Sequence, residues 1–126
     1  MTKVRAAALP LLCLFAACGS TPVGYLNTDV LEPYGMIKPT TDGPVDIQGT
    51  FFQKGTLMYA GRGDMQRIHA DYIDAMRGQG WSPASVQGDS AKGFSSRLTK
   101  DTRMLTLTIA PDGNDVKVTI RVAPSK

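Results

Sequence analysis

The chain is short of the residues that usually carry chemistry. Among its 126 residues are two cysteines, one histidine and one tryptophan, and both cysteines, Cys13 and Cys18, fall within the first eighteen positions. Everything after Cys18 therefore lacks a thiol with which to form a disulfide, ligate zinc or attack a substrate. His69 is the only imidazole, and Ile68-His69-Ala70-Asp71 has none of the H-E-x-x-H spacing that puts two zinc ligands on one helix face. A lone histidine at the edge of an apolar helix stripe is expected to lie partly buried against the next layer. A membrane-spanning run is missing too. The apolar stretch Ala6 to Ala17 has twelve residues and contains Pro10, which is too short and too broken for a transmembrane helix. No internal repeat is visible.

What is present at the start reads as an export signal. Lys3 and Arg5 precede the apolar stretch, and the small residues Ala16 and Ala17 close it. Cleavage by the general signal peptidase wants an A-x-A pattern, and Phe15-Ala16-Ala17 puts a ring at its first small position. The segment Leu14-Phe15-Ala16-Ala17-Cys18 instead resembles the lipobox of bacterial lipoproteins, departing at Phe15 where leucine is usual. Cys13 is a poorer candidate, because Leu12 before it is large. The resemblance implies a lipoprotein signal peptide over residues 1–17 and lipidation, palmitate included, at Cys18, with several acyl chains that make membrane attachment persistent. It also implies the outer membrane, facing the periplasm, since Gly19-Ser20 lacks the aspartate associated with inner-membrane retention.

Processing changes the charge balance. The formal net charge is +3, but loss of Lys3 and Arg5 leaves twelve basic residues against eleven acidic ones. A near-neutral chain gives no argument for nucleic acid binding.

Residues 18–48 read as the lipidated cysteine and a proline-rich tether, because Pro22, Pro33, Pro39 and Pro44 break helices and favour extended chain. Val30-Leu31, Tyr25 and Tyr34 are the parts of it suited to docking. Residues 49–126 read as a small α+β domain. Phe51-Phe52 and Gly55 to Ala60 form one interrupted strand or a short pair, with Gly55 as a bulge or turn. Asp64 caps a helix whose apolar stripe is Met65, Ile68, Tyr72, Ala75 and Met76 and which Gly78 and Gly80 stop. Alternation then marks three strands, through Phe94, Ser96 and Leu98, then Leu105, Leu107 and Ile109, then Val116, Val118, Ile120 and Val122. Ser82 to Gly88 adds a weaker edge strand. The expected architecture is a two-layer sandwich in β-α-β-β-β order, one amphipathic helix on a four- to five-stranded, mainly antiparallel sheet. On architecture alone this is similar to the C-terminal domains of the outer-membrane assembly lipoprotein BamC.

No stretch rises to a catalytic signature. Gly61-Arg62-Gly63 has part of a phosphate-binding turn, but Gln66 replaces the third glycine and Asp64 puts negative charge where amides would hold a phosphate. Arg62-Gly63-Asp64 spells a receptor-binding tripeptide whose aspartate is engaged as a helix cap. Asp112 to Asp115 offers oxygen ligands without the glutamate that a calcium loop needs, Ala123 standing in its place. Asp71 and Asp74 are matched by Arg67 and Arg77, as on a solvated helix face. The expectation is therefore a non-enzymatic envelope lipoprotein with no cofactor, no metal and no nucleic acid partner. It is held on the membrane by its lipid and acts as a protein-binding or assembly module. The expected partner-binding face is the polar side of the sheet, with Arg97, Lys117 and Arg121. The alternative is a small apolar ligand or lipid held between helix and sheet near Tyr59, Tyr72 and Trp81.

Overall fold

The computed structural model describes residues 24–36, 39–89 and 91–125. The fold is α+β, one helix on a sheet that is antiparallel throughout, but the sheet has seven strands rather than four or five. The strands are β1 (Thr40–Thr41), β2 (Asp46–Gln48), β3 (Phe51–Gly61), β4 (Ser82–Asp89), β5 (Gly93–Lys100), β6 (Arg103–Asp112) and β7 (Asp115–Pro124), with the helix α1 (Met65–Gly78) between β3 and β4. Their order across the sheet is β1-β3-β7-β6-β5-β4, with β2 also pairing with β3. The two strands that the sequence does not announce, β1 and β2, are two and three residues long, β1 between Pro39 and Pro44 and β2 just after Pro44. Pairing with the long β3 defines them, and no alternation of their own does.

The other strands follow their side-chain pattern. Leu105, Leu107 and Ile109 on β6 and Val116, Val118, Ile120 and Val122 on β7 are buried, while the residues between them face outward. The hairpins β5–β6 and β6–β7 join neighbours, and β3 returns to pair with β7, Leu57 opposite Ile120. On β3 the register slips beside β2, where Asp46 pairs with Lys54 and Ile47 with Phe52. Gly55 lies just beyond this bulge with φ 152°, packed against Val45 and Phe52.

Helix α1 starts where Asp64 accepts a hydrogen bond from the Arg67 amide at 3.3 Å. It ends in a Schellman arrangement: Gly80, at φ 93°, donates its amide to Arg77, and Trp81 donates to Met76. That turn sends the Trp81 indole straight into the core, where it is 2 % exposed. Met65, His69, Tyr72, Ile73 and Met76 form the buried stripe, and Arg67, Asp71, Asp74 and Arg77 face water.

A helix of 14 residues is about 21 Å long and 10 Å wide, and the sheet is more than twice that width. It packs over β4, β5 and β6. The remaining half of the inner face is covered by residues 24–36, part of the segment assigned to the tether. They run beside β3: Tyr25 meets the Phe52 ring edge-on at 5.9 Å, Glu32 bonds the Tyr59 hydroxyl, and Met36 lies against Gly61. Val30 and Leu31 belong to the hydrophobic core. The domain packed around this core thus reaches upstream of residue 49, at least to Gly24. The second layer is therefore the helix and this strap together, and no described residue packs over the opposite face of the sheet.

Candidate functional site

Three groups of residues bear on function: the open face of the sheet, the aromatic cluster under the strap, and a buried charge cluster that fixes the strap.

On the open face, the register aligns side chains in rows. Arg97 on β5 and Arg121 on β7 both pair with Thr106 on β6, one from each side, and Thr56 on β3 continues the row. Strand spacing puts the two arginine Cα atoms about 10 Å apart over the same threonine. Both side chains are exposed, and among the described residues neither has an acidic partner. The next row, Ser95, Thr108, Thr119 and Met58, is hydroxyl-rich and uncharged. Lys117 does not join the arginines. It pairs with Ala110 and Ala60 at the hairpin end of the sheet, about 13 Å along the strand from Arg121, near Asp115, which Arg62 reaches at 3.3 Å. The structure thus groups two of the three expected cations and sets the third apart.

Tyr59, Tyr72 and Trp81 do come together between helix and sheet, and all three are buried. The space beside them is taken by the strap. Trp81 Nε1 donates to the Asp29 carbonyl at 2.9 Å, the Tyr72 hydroxyl to the Leu31 carbonyl at 2.7 Å, and the Tyr59 hydroxyl to Glu32 at 3.1 Å. Burial, and for both rings the nearby Glu32 carboxylate, raises the two phenol pKa values far above the ordinary range. Each polar atom of this apolar region is therefore spent on a backbone or side-chain group of residues 29–32. The cleft of about 170 Å³ beside Tyr72 opens elsewhere, between Pro33-Tyr34 and the first turns of α1, and neither Tyr59 nor Trp81 lines it.

The charge cluster has no counterpart in the sequence reading. Asp29, 7 % exposed, accepts from Arg103 Nη2 at 2.7 Å, Arg103 Nη1 at 3.1 Å, Lys100 Nζ at 3.0 Å and the Phe52 amide at 3.2 Å. Arg103 also bonds both carboxylate oxygens of Asp101 and the Phe52 carbonyl, and its guanidinium lies 5.0 Å from the Trp81 ring and 5.5 Å from that of Phe51. Burial opposes ionisation of Asp29, yet the bonds from Arg103, Lys100 and Phe52 outweigh it and hold its pKa below the usual carboxylate value. No local motif marks these residues. Asp29 stands among prolines, and Lys100 to Arg103 read as an ordinary hairpin turn.

His69 lies where its stripe position placed it. Its Nε2 is 2.6 Å from Ser96 Oγ and its ring stacks on Phe94 at 4.7 Å. Burial lowers its pKa. Ser96 is 0 % exposed, so the pair is closed to any substrate. Among the described residues no three His, Cys, Asp or Glu side chains group as a metal site. Likewise no helix there is long and apolar enough to cross a membrane. Cys18 and the leader 1–17 lie outside the described residues.

No family model matches the chain, and no curated protein or solved structure matches it.

Proposed function

We propose that this chain is a lipid-anchored, non-enzymatic envelope protein, acylated at Cys18 in the outer membrane and facing the periplasm, that binds an acidic protein partner through the open face of its sheet. The observation that carries the reading is the row Arg97–Thr106–Arg121. Two arginines flank one threonine on a face that no described residue covers, and no carboxylate of the described chain neutralises them. Carboxylates of a partner would relieve their mutual repulsion and could be held by two-point hydrogen bonds. Thr56, Thr108 and Thr119 supply neutral donors and acceptors around that centre. The only paired serine and histidine, Ser96 and His69, are buried in the core, which favours a binding role over a catalytic one.

The test is in-cell crosslinking of the natively processed protein, with mass spectrometry of the adducts and of the amino-terminal peptide, in the wild type and in Arg97→Glu/Arg121→Glu. The expected result is one dominant adduct on a chain acylated at Cys18, lost on charge reversal with the fold intact and restored when the contacting acidic residues of the partner are changed to lysine. An adduct unaffected by reversal would remove this face from the reading. An unmodified Cys18 would remove the lipid anchor.

A further inference from the structure

We infer that the end of the domain bearing Leu26 and Phe51 rests on the lipid bilayer, with these two side chains seated at the headgroup boundary. The inference builds on acylation of Cys18 as proposed above.

Covalent reach is the first support. A chain free from Cys18 to residue 49 would let the domain stand roughly 100 Å from its anchor. The strap removes most of that freedom. Its first described residue is Gly24, and from Tyr25 onward it is fixed by the Tyr25 amide bond to Val30, the Asp29 amide bond to Thr50 and the Asp29–Arg103 ion pair. Only residues 19–23 separate Gly24 from Cys18, and five residues span at most about 20 Å even fully stretched. The end of the domain at which the strap enters is thereby held at the membrane surface.

The second support is what this end exposes. Leu26 is 67 % and Phe51 48 % exposed, two of the four large apolar side chains most open to water among the described residues. Both lie where the strap enters, since Tyr25 packs on Phe52 and Asp29 bonds Thr50 and Phe52. Leu26 is held there against its own backbone preference. It has φ 48° and ψ 38°, a left-handed conformation uncommon for leucine, and Asn27, a residue that tolerates this region, follows at φ 64°. The turn that holds them is braced by the Asn27 amide on Gly24, the Thr28 amide on Tyr25 and the Thr28 hydroxyl on the same Tyr25 carbonyl at 2.7 Å. A strained turn that directs a leucine into water has a reason if that water is replaced by acyl chains.

The charges at this end do not oppose the contact. Asp29 and Asp101 are matched by Arg103 and Lys100, so the apolar pair decides the interaction and headgroup charge has little influence. The open sheet face runs alongside this end and stays free for a partner.

In the processed chain Cys13 is gone and Cys18 blocked, so one introduced thiol can be labelled alone. Leu26→Cys, Phe51→Cys and, at the far hairpin, Asn114→Cys would each carry an environment-sensitive fluorophore. The proteins, purified with their native acylation verified by mass spectrometry, are placed in vesicles of phosphatidylethanolamine and phosphatidylglycerol bearing a headgroup-attached nitroxide quencher. Position 114 lies one strand length, about 33 Å, from the anchored end. The expected result is several-fold stronger quenching at 26 and 51 than at 114, unchanged by salt. Equal, weak quenching at all three positions on an acylated chain would overturn the inference and leave the lipid anchor standing. An unmodified Cys18 would remove the anchor, and the inference with it.

Discussion

Asp29 and Arg103, 74 residues apart in sequence, meet in a two-point ion pair buried between the Trp81 indole and the amide of Phe52. The pair joins a segment that reads as spacer to the turn between two core strands. It thereby decides where the domain begins.

Breaking that pair from one side should be costly. Asp29→Ala leaves the Arg103 guanidinium buried with Asp101 as its only acidic partner, and the expected loss is about 3 kcal/mol or more in chemical denaturation. A loss under about 1 kcal/mol would mean that the clamp is not what fixes the strap.

The same residue and His69 give the stability a defined acid limb. Both have folded-state pKa values below their ordinary ones, so the unfolded chain binds more protons over the interval between the two states and stability falls as pH falls. The His69 contribution is complete above its unfolded value, about 6.5, and is lost as pH drops through the lowered folded value. That of Asp29 is complete above about pH 5 and is lost below about 4. Denaturation midpoints measured from pH 8 to pH 3 should decline in two stages. In His69→Gln the upper stage should vanish while the lower one persists.

Trp81 has two separable roles. Trp81→Ala removes the largest fully buried side chain and should cost roughly 3 to 5 kcal/mol, enough to threaten the fold of a domain this small. Trp81→Phe keeps most of the ring but leaves the Asp29 carbonyl without its donor, for an expected loss of about 1 to 3 kcal/mol. Thermal melts of the pair resolve packing from hydrogen bonding, and an unshifted melt of Trp81→Phe would show that the indole N–H contributes nothing.

The arginine row should be dispensable for folding. Arg97→Glu and Arg121→Glu, on an exposed face with no ion pair to lose, are each expected to shift stability by no more than about 0.5 kcal/mol. A large destabilisation would point to a structural duty for these side chains and weaken the case for a partner there.

How far the fold was legible varies by element. Helix α1 carried its own cap, stripe and stop in Asp64, the Met65-to-Met76 spacing and Gly80. Strands β5 to β7 declared themselves by alternation and by the polar turns between them. The bland reading of His69, buried against the sheet, needed only its place at the edge of the helix stripe. Each of these signals is local, with every residue that matters within a few positions of the next.

The strap was legible only in fragments. Tyr25, Val30 and Leu31 suggested docking, but proline spacing argues for extended chain whether that chain is solvated or packed. Nothing near Asp29 says that a guanidinium 74 residues away will neutralise it. The row of Arg97 and Arg121 was half visible. Alternation put both on the outer face, while the pairing of each with Thr106, and the separate position of Lys117, depend on inter-strand register.

The sequence by itself determined the class of the fold, one amphipathic helix on a sheet with a single apolar face, because periodicity of 3.6 and of 2 is a property of neighbouring residues. Tertiary structure alone decided how much chain belongs to the domain. A helix about 10 Å wide cannot cover this sheet, and the apolar half it leaves is closed by residues 24–36, which the buried Asp29–Arg103 pair holds there.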